Sequence, residues 1–204
     1  MARNRKDRKE KYSIAIVGEG ETEWHYFDNL RTEKRFSFQI SPEIPKHSDY
    51  ESIFKHAEKL ADNGYDEVYC VLDLDIFEGE LLLKYEAKKN KIIKNRHQIK
   101  VIETFPCFEF WFLLHYKDYS SKFYDNKSLL NELRKFIPNY EKHVEFFRKV
   151  KLYSLLTNTG NEEKAILNAD KLLTERIKNY NPKSPFSMVQ QILKSLESTQ
   201  NKND

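Results

Sequence analysis

Apolar positions in the first half of the chain fall into short runs separated by helical stripes. Tyr12 to Val17 has the length and β-branched content of a strand, and Thr22 stands where a helix cap would, ahead of an apolar stripe of Trp24, Phe27 and Leu30 with Tyr26 beside it. FSFQI at 36–40 alternates as a strand. Beyond the SPEIP loop, Asp49 can cap a helix that buries Ile53, Phe54, Ala57, Leu60 and Ala61, and Asn63-Gly64 ends it. VYCVLDLD at 68–75 is a nearly continuous apolar run, the pattern of a strand covered on both faces of a parallel sheet. A lysine-rich helix over 79–95 and a strand at 98–103 complete a βαβαβαβ series. That series predicts an α/β fold with a mostly parallel four-stranded sheet flanked by helices. Beyond Pro106 the period is helical: FEFWFLLHY, then 127–137, 141–149, 161–179 and 184–197, with breaks at Asn126, Pro138, Gly160 and the NYNP turn at 179–182. The pattern divides the chain into a tail at 1–11, an α/β core at 12–116 and a helical extension at 117–204 packed on the core.

Composition narrows the class. Hydrophobic residues at 39% and aromatics at 14% suffice for one core in a chain of 204 residues. The tail MARNRKDRKEK carries six Lys/Arg and two Asp/Glu, leaving 29 basic and 30 acidic residues elsewhere, so the formal +3 belongs to the tail and the body is nearly neutral. The tail is not followed by the apolar stretch of a secretory signal, and the richest apolar run, FPCFEFWFLLHY, is interrupted by Glu109 and too short to span a bilayer. The expectation is a cytoplasmic protein without a membrane partner. Cys70 and Cys107 form no CxxC pair, which argues against structural zinc or a disulfide framework.

The chemistry concentrates just past two strands. IAIVGEGETEWHYFDNL runs from a buried strand into Glu19, Glu21, Glu23 and Asp28. At about 5 Å and an effective dielectric near 20, each like-charged pair costs roughly 3 kcal/mol, so something positive should offset it. In open parallel sheets ligands bind outside the carboxyl ends of the strands, which is where Glu19 and the pair Asp73 and Asp75 fall. If those strands are neighbours, three carboxylates converge into an oxygen-rich site of the kind Mg²⁺ or Mn²⁺ prefers. Glu23, one helical turn on, is a candidate ligand for a second metal. Gly18 and Gly20 would let the backbone turn beside it. A dinucleotide loop is rejected: Glu23 replaces the third glycine, and acids at a helix N-terminus repel pyrophosphate. Glu21 and Asp28 are explained by the helix dipole.

Three segments, GEGETEWHYFDNLR, DEVYCVLDLD and PCFEFWFLLH, resemble the signature segments of the RloB family, restriction-linked bacterial proteins with a Toprim-like fold. The resemblance covers residues 12–116, with a weaker echo at NPKSPFSMV. It implies a Toprim active site in which Glu19, Asp73 and Asp75 are the catalytic and metal-binding carboxylates. Similarity to the related OLD-type nucleases implies a second-metal role for Glu23. The chain departs from the family pattern at Leu74, where a basic residue is usual, at Phe105, where asparagine is usual, and near Ser187, where a histidine is common.

Other positions carry less. PCFEFWFLLHY packs a core helix at helical spacing. Its Glu109, if buried, should be ion-paired or metal-bound, and the resemblance makes it a further metal candidate. His115 reads as a satisfied polar residue. Lys84, Lys88 and Lys91 share a helix face that is either solvated or a nucleic-acid backbone contact, to which the tail would add. The combined expectation is a Mg²⁺- or Mn²⁺-dependent nuclease cutting DNA or RNA in bacterial defence, with Glu19 also a candidate general base and with room for a defence partner or an oligomer. Two alternatives stand beside it: a non-catalytic Toprim module that binds nucleic acid or a partner, and a phosphohydrolase like the haloacid dehalogenases with Asp73 as nucleophile.

Overall fold

The computed structural model describes residues 12–118, 125–179 and 181–203. The basic tail at 1–11 lies outside the described residues. The elements in chain order are β1 (Ser13–Val17), α1 (Glu21–Lys34), β2 (Gln39–Glu43), α2 (Tyr50–Asp62), β3 (Glu67–Asp73), α3 (Gly79–Asn95), β4 (Ile99–Phe105), α4 (Glu109–Leu114), α5 (Asn126–Leu133), α6 (Val144–Lys149), α7 (Leu152–Thr159), α8 (Glu162–Lys178), β5 (Phe186–Ser187) and α9 (Val189–Asn203). The sheet runs β2-β1-β3-β4-β5, parallel except for β5. The α/β class and the four parallel strands are as the pattern predicts. The added fifth strand is a two-residue segment antiparallel to the end of β4, too short to leave a periodic signal.

Strand alternation sends side chains to two cores. Ile14, Ile16, Tyr69, Val71 and Ile102 face α1, α4 and the helices that follow. Ala15, Val17, Val68, Cys70, Leu72 and Val101 face α2 and α3. β3 is central and buried from Val68 to Leu72, as its unbroken apolar run requires. Asp49 caps α2 by accepting from the Ser52 amide at 2.9 Å.

Several elements differ from the pattern, among them the last helix, which runs over Val189–Asn203 rather than 184–197 because Phe186–Ser187 pairs with β4. The second strand is QISPE rather than FSFQI, because Phe36 and Phe38 pack together against the first core, while Pro42 is tolerated on an edge strand. Helix α7 was not expected. LYSLLTNT has no side-chain cap, and its Thr and Asn favour turns; burial of Leu152, Tyr153 and Leu156 against the first core overrides that preference. The stretch at 141–149 is helical only from Val144, after a capping His143.

Helices α1 and α4 are tied by a buried bond in which Trp111 Nε1 donates to Tyr26 Oη at 2.9 Å, among the rings of Phe108, Phe112 and Tyr153. This pair fixes the helix that carries Glu23 against the one that carries Glu109. Tyr26→Phe would leave the indole N–H without its partner, at a cost of about 1–3 kcal/mol. Urea unfolding should show that loss, and in a cycle with Trp111→Phe, which adds its own cavity cost, the double variant should lose less than the sum of the two single losses; strictly additive losses would mean the two residues act independently.

Candidate functional site

Because β1 and β3 are neighbours, with Val17 opposite Cys70, the turn after β1 meets the end of β3. Glu19 Oε1 accepts from the Asp73 backbone N–H at 2.7 Å, so the first carboxylate is anchored to the strand that supplies the second. Thr104 sits opposite Asp73 on β4, and its hydroxyl donates to Asp73 Oδ1 at 2.5 Å. Glu23, 4% exposed, enters from the first turn of α1. Gly18 makes that entry possible: a Cβ there would lie 2.5 Å from Glu23 Cβ. Close approach, rather than a sharp turn, is therefore what Gly18 provides. Gly20 has extended backbone at φ −163°, a conformation open to any residue.

Glu109 is completely buried, and its partners are protein groups. Tyr140 Oη donates to Oε1 at 2.9 Å, Thr22 Oγ1 approaches the same oxygen at 3.4 Å, and the Lys142 ammonium stands 3.1 Å from Oε1 and 3.2 Å from Oε2. Lys142 is the cation that faces the cluster, and no local pattern points to it. It lies in a polar stretch between helices with no motif. The one available signal was that a buried Glu109 demands a positive partner somewhere.

Glu19, Glu23, Asp73 and Lys142 line a cavity of about 480 Å³, with Gly20, Glu21, Thr22, Ser48, His143, Val144 and Phe147. Burial first, then the charges of Asp73 and Asp75, push the Glu19 carboxyl up to about 8, against the pull of the Asp73 amide and Lys142. Burial and Glu109 push Glu23 to about 8. Asp73 is raised well above the carboxylate range by burial, Glu23 and Glu109. Lys142 is lowered by burial but raised more by Glu109, Asp73 and Glu23, so it stays charged. Burial and Glu109 raise the Cys107 thiol above its usual value, which disfavours the thiolate a nucleophile needs.

A family model described as RloB-like protein matches residues 14–196. The chain belongs to the RloB-like protein family. No curated protein and no solved structure matches it. Among the described residues of this RloB-like chain, no helix is long and apolar enough to cross a membrane.

The remaining candidates sit elsewhere. Asp75 is exposed, accepts from Asn126 Nδ2 at 2.8 Å, and lines a second cavity, although its charge still reaches Glu19. Lys84, Lys88 and Lys91 are exposed on α3, which starts at the carboxyl edge of the sheet and runs away from it. Lys84 pairs with Glu80 at 2.7 Å. His115 is buried, its Nδ1 bonded to the Trp111 carbonyl and its Nε2 without a partner, and burial lowers it to about 4. Among the described residues no three His, Cys, Asp or Glu side chains form a ready-made metal cage.

The raised carboxyls give a pH signature. A carboxyl that holds its proton more tightly when folded stabilises the fold below its ordinary range near pH 4.5, and that stability is lost as pH rises toward the folded value near 8. His115 acts in the opposite sense and only below about 6.5, where its unfolded form takes up a proton. Between pH 6.5 and 8, in chelator, the urea midpoint should therefore fall, and Glu23→Gln should flatten the fall. A wild-type midpoint that is level or rising over that window would contradict the shared burial of these carboxylates.

Proposed function

We propose that the protein is a divalent-metal-dependent nuclease of Toprim type that hydrolyses phosphodiester bonds in DNA or RNA. The observation that carries this reading is the gathering of three carboxylates on one open cavity, Glu23 buried and Glu19 and Asp73 half-buried, while Lys142, the cation beside them, is already engaged by Glu109. The donor set is all oxygen, which suits Mg²⁺ or Mn²⁺. Mg²⁺ keeps several waters and takes one or two carboxylates plus substrate phosphates, so a closed protein cage is not required.

Glu19 and Asp73 would hold the ion, with Glu23 as the ligand for a second. A divalent ion bound there polarises a phosphate oxygen and lowers the pKa of its water. The protein's own groups do the rest. Thr104 and the Asp73 amide fix the directions of the Asp73 and Glu19 carboxylates. Lys142, 45% exposed and held by Glu109, offers positive charge to a substrate phosphate entering the cavity, where it strengthens as charge develops on the reacting oxygens. Val144 and Phe147 limit water on one wall. Family membership supports a setting in bacterial defence, and a cytoplasmic location is part of the same reading.

The test is incubation of labelled single- and double-stranded DNA and RNA with Mg²⁺, Mn²⁺ or chelator. Cleavage should need the metal and fall about a hundredfold or more in the isosteric variants Asp73→Asn and Glu19→Gln, and in Lys142→Met made together with Glu109→Gln so that no buried carboxylate loses its cation. Turnover that survives chelator, or an Asp73→Asn variant with wild-type activity, would overturn the proposal. Nucleic-acid binding without turnover under any metal would favour a non-catalytic module instead.

A further inference from the structure

Immediately beyond Asp73 the chain lines a second cavity, of about 430 Å³, walled by Leu74, Phe77, Leu82, Phe105 and Pro182 with Asp75 and Lys183 at its polar side. Its walls are fixed by the sheet and the loop after β3: the Leu74 amide donates to the Thr104 carbonyl at 2.9 Å and the Phe77 amide to the Leu74 carbonyl at 3.3 Å. Phe105 and Leu74 are half-buried rather than sealed into the core. Phe105 ends β4 and Leu74 follows β3, so the two cavities flank one strand end, about 4–8 Å of backbone apart.

We infer that the second cavity holds an unpaired nucleobase of the strand whose phosphate lies at the carboxylates, which makes single-stranded or unpaired nucleic acid the substrate. The inference rests on the nuclease reading and adds the substrate's form to it. Three features select this occupant. An aromatic ring and aliphatic walls accept the face of any base, as in sequence-tolerant stacking platforms. Asp75 has acceptor capacity beyond its bond to Asn126, suited to the N–H groups on a base edge. Lys183, exposed and without an ion pair among the described residues, is placed for the phosphate attached to that nucleotide. A base still stacked in a duplex cannot enter a pocket of this kind without leaving its neighbours.

The experiment is a cycle between protein and strand. Short fluorescent DNA and RNA strands, each with a single abasic site at a different position, are bound by fluorescence anisotropy with Ca²⁺ in place of Mg²⁺, and the same strands are then tested for cleavage in Mg²⁺. For the wild type, one abasic position should weaken binding about tenfold, the fold-change expected for base-on-aromatic stacking. Phe105→Leu should lose a similar factor on the intact strand and become indifferent to that abasic position. Lys183→Ala, on the exposed surface, should weaken binding and reduce its salt dependence while keeping the abasic effect. If the wild type binds every abasic strand as it binds the intact one, or Phe105→Leu keeps full sensitivity to the abasic position, the inference is overturned. Metal-dependent cleavage that persists in that case leaves the nuclease reading standing, whereas strands neither bound nor cut by the wild type bring down both.

Discussion

Like charge held in one cleft is the constraint around which this protein is organised. Glu19, Glu23 and Asp73 come from the end of one strand, the first turn of a helix and the end of the neighbouring strand, and burial brings their charges within mutual reach. Such an arrangement is costly unless protons or cations offset it. The protein's own offsets are small and specific: the Asp73 amide on Glu19, the Thr104 hydroxyl on Asp73, and Lys142 shared with Glu109. The surrounding fold resists relaxation. Gly18 lets Glu23 approach without clash, and the Tyr26–Trp111 bond keeps α1 against α4, so the carboxylates cannot simply move apart.

Glu109 shows how one carboxylate can serve another purpose in the same cluster. Fully buried and engaged by Tyr140, Thr22 and Lys142, it holds a positive charge at the mouth of the cavity. The desolvation cost of that pair is large, so its worth lies in where it puts the ammonium rather than in net stability. On the other side of the same strand end, Asp75 turns away toward Asn126 and a more apolar cavity. The two acids of the DLD motif thus face different chemistry because β3 ends at Asp73 and the chain turns at Asp75; unbroken alternation would have put both on one face.

The parallel sheet was legible because its strands are apolar and its helices amphipathic; the convergence of Glu19 with Asp73 was legible only on the condition that their strands are neighbours, which the structure supplies. What was not legible depended on contacts remote in sequence. Lys142 carries no local signature, since its role is defined by Glu109 on another helix. Helix α7 exists because Tyr153 and Leu156 find a core, not because LYSLLTNT favours helix. The strand at QISPE is set by hydrogen bonding to β1, Gln39 standing opposite Ser13, whereas alternation in FSFQI reflects two aromatics that pack elsewhere. Asp75 could be separated from Asp73 only once Asn126 was seen beside it.

The claim that this cluster is built to be completed by a divalent cation is tested most directly by Mn²⁺ titration at pH 8, followed by loss of the free-ion electron paramagnetic resonance signal. The wild type should take up Mn²⁺, and Glu19→Gln and Asp73→Asn should each weaken uptake about tenfold or more, while Asp75→Asn, facing the other cavity, should change it little. Equal uptake by all four proteins, or none by the wild type, would contradict the account and leave the buried carboxylates as protonated structural groups.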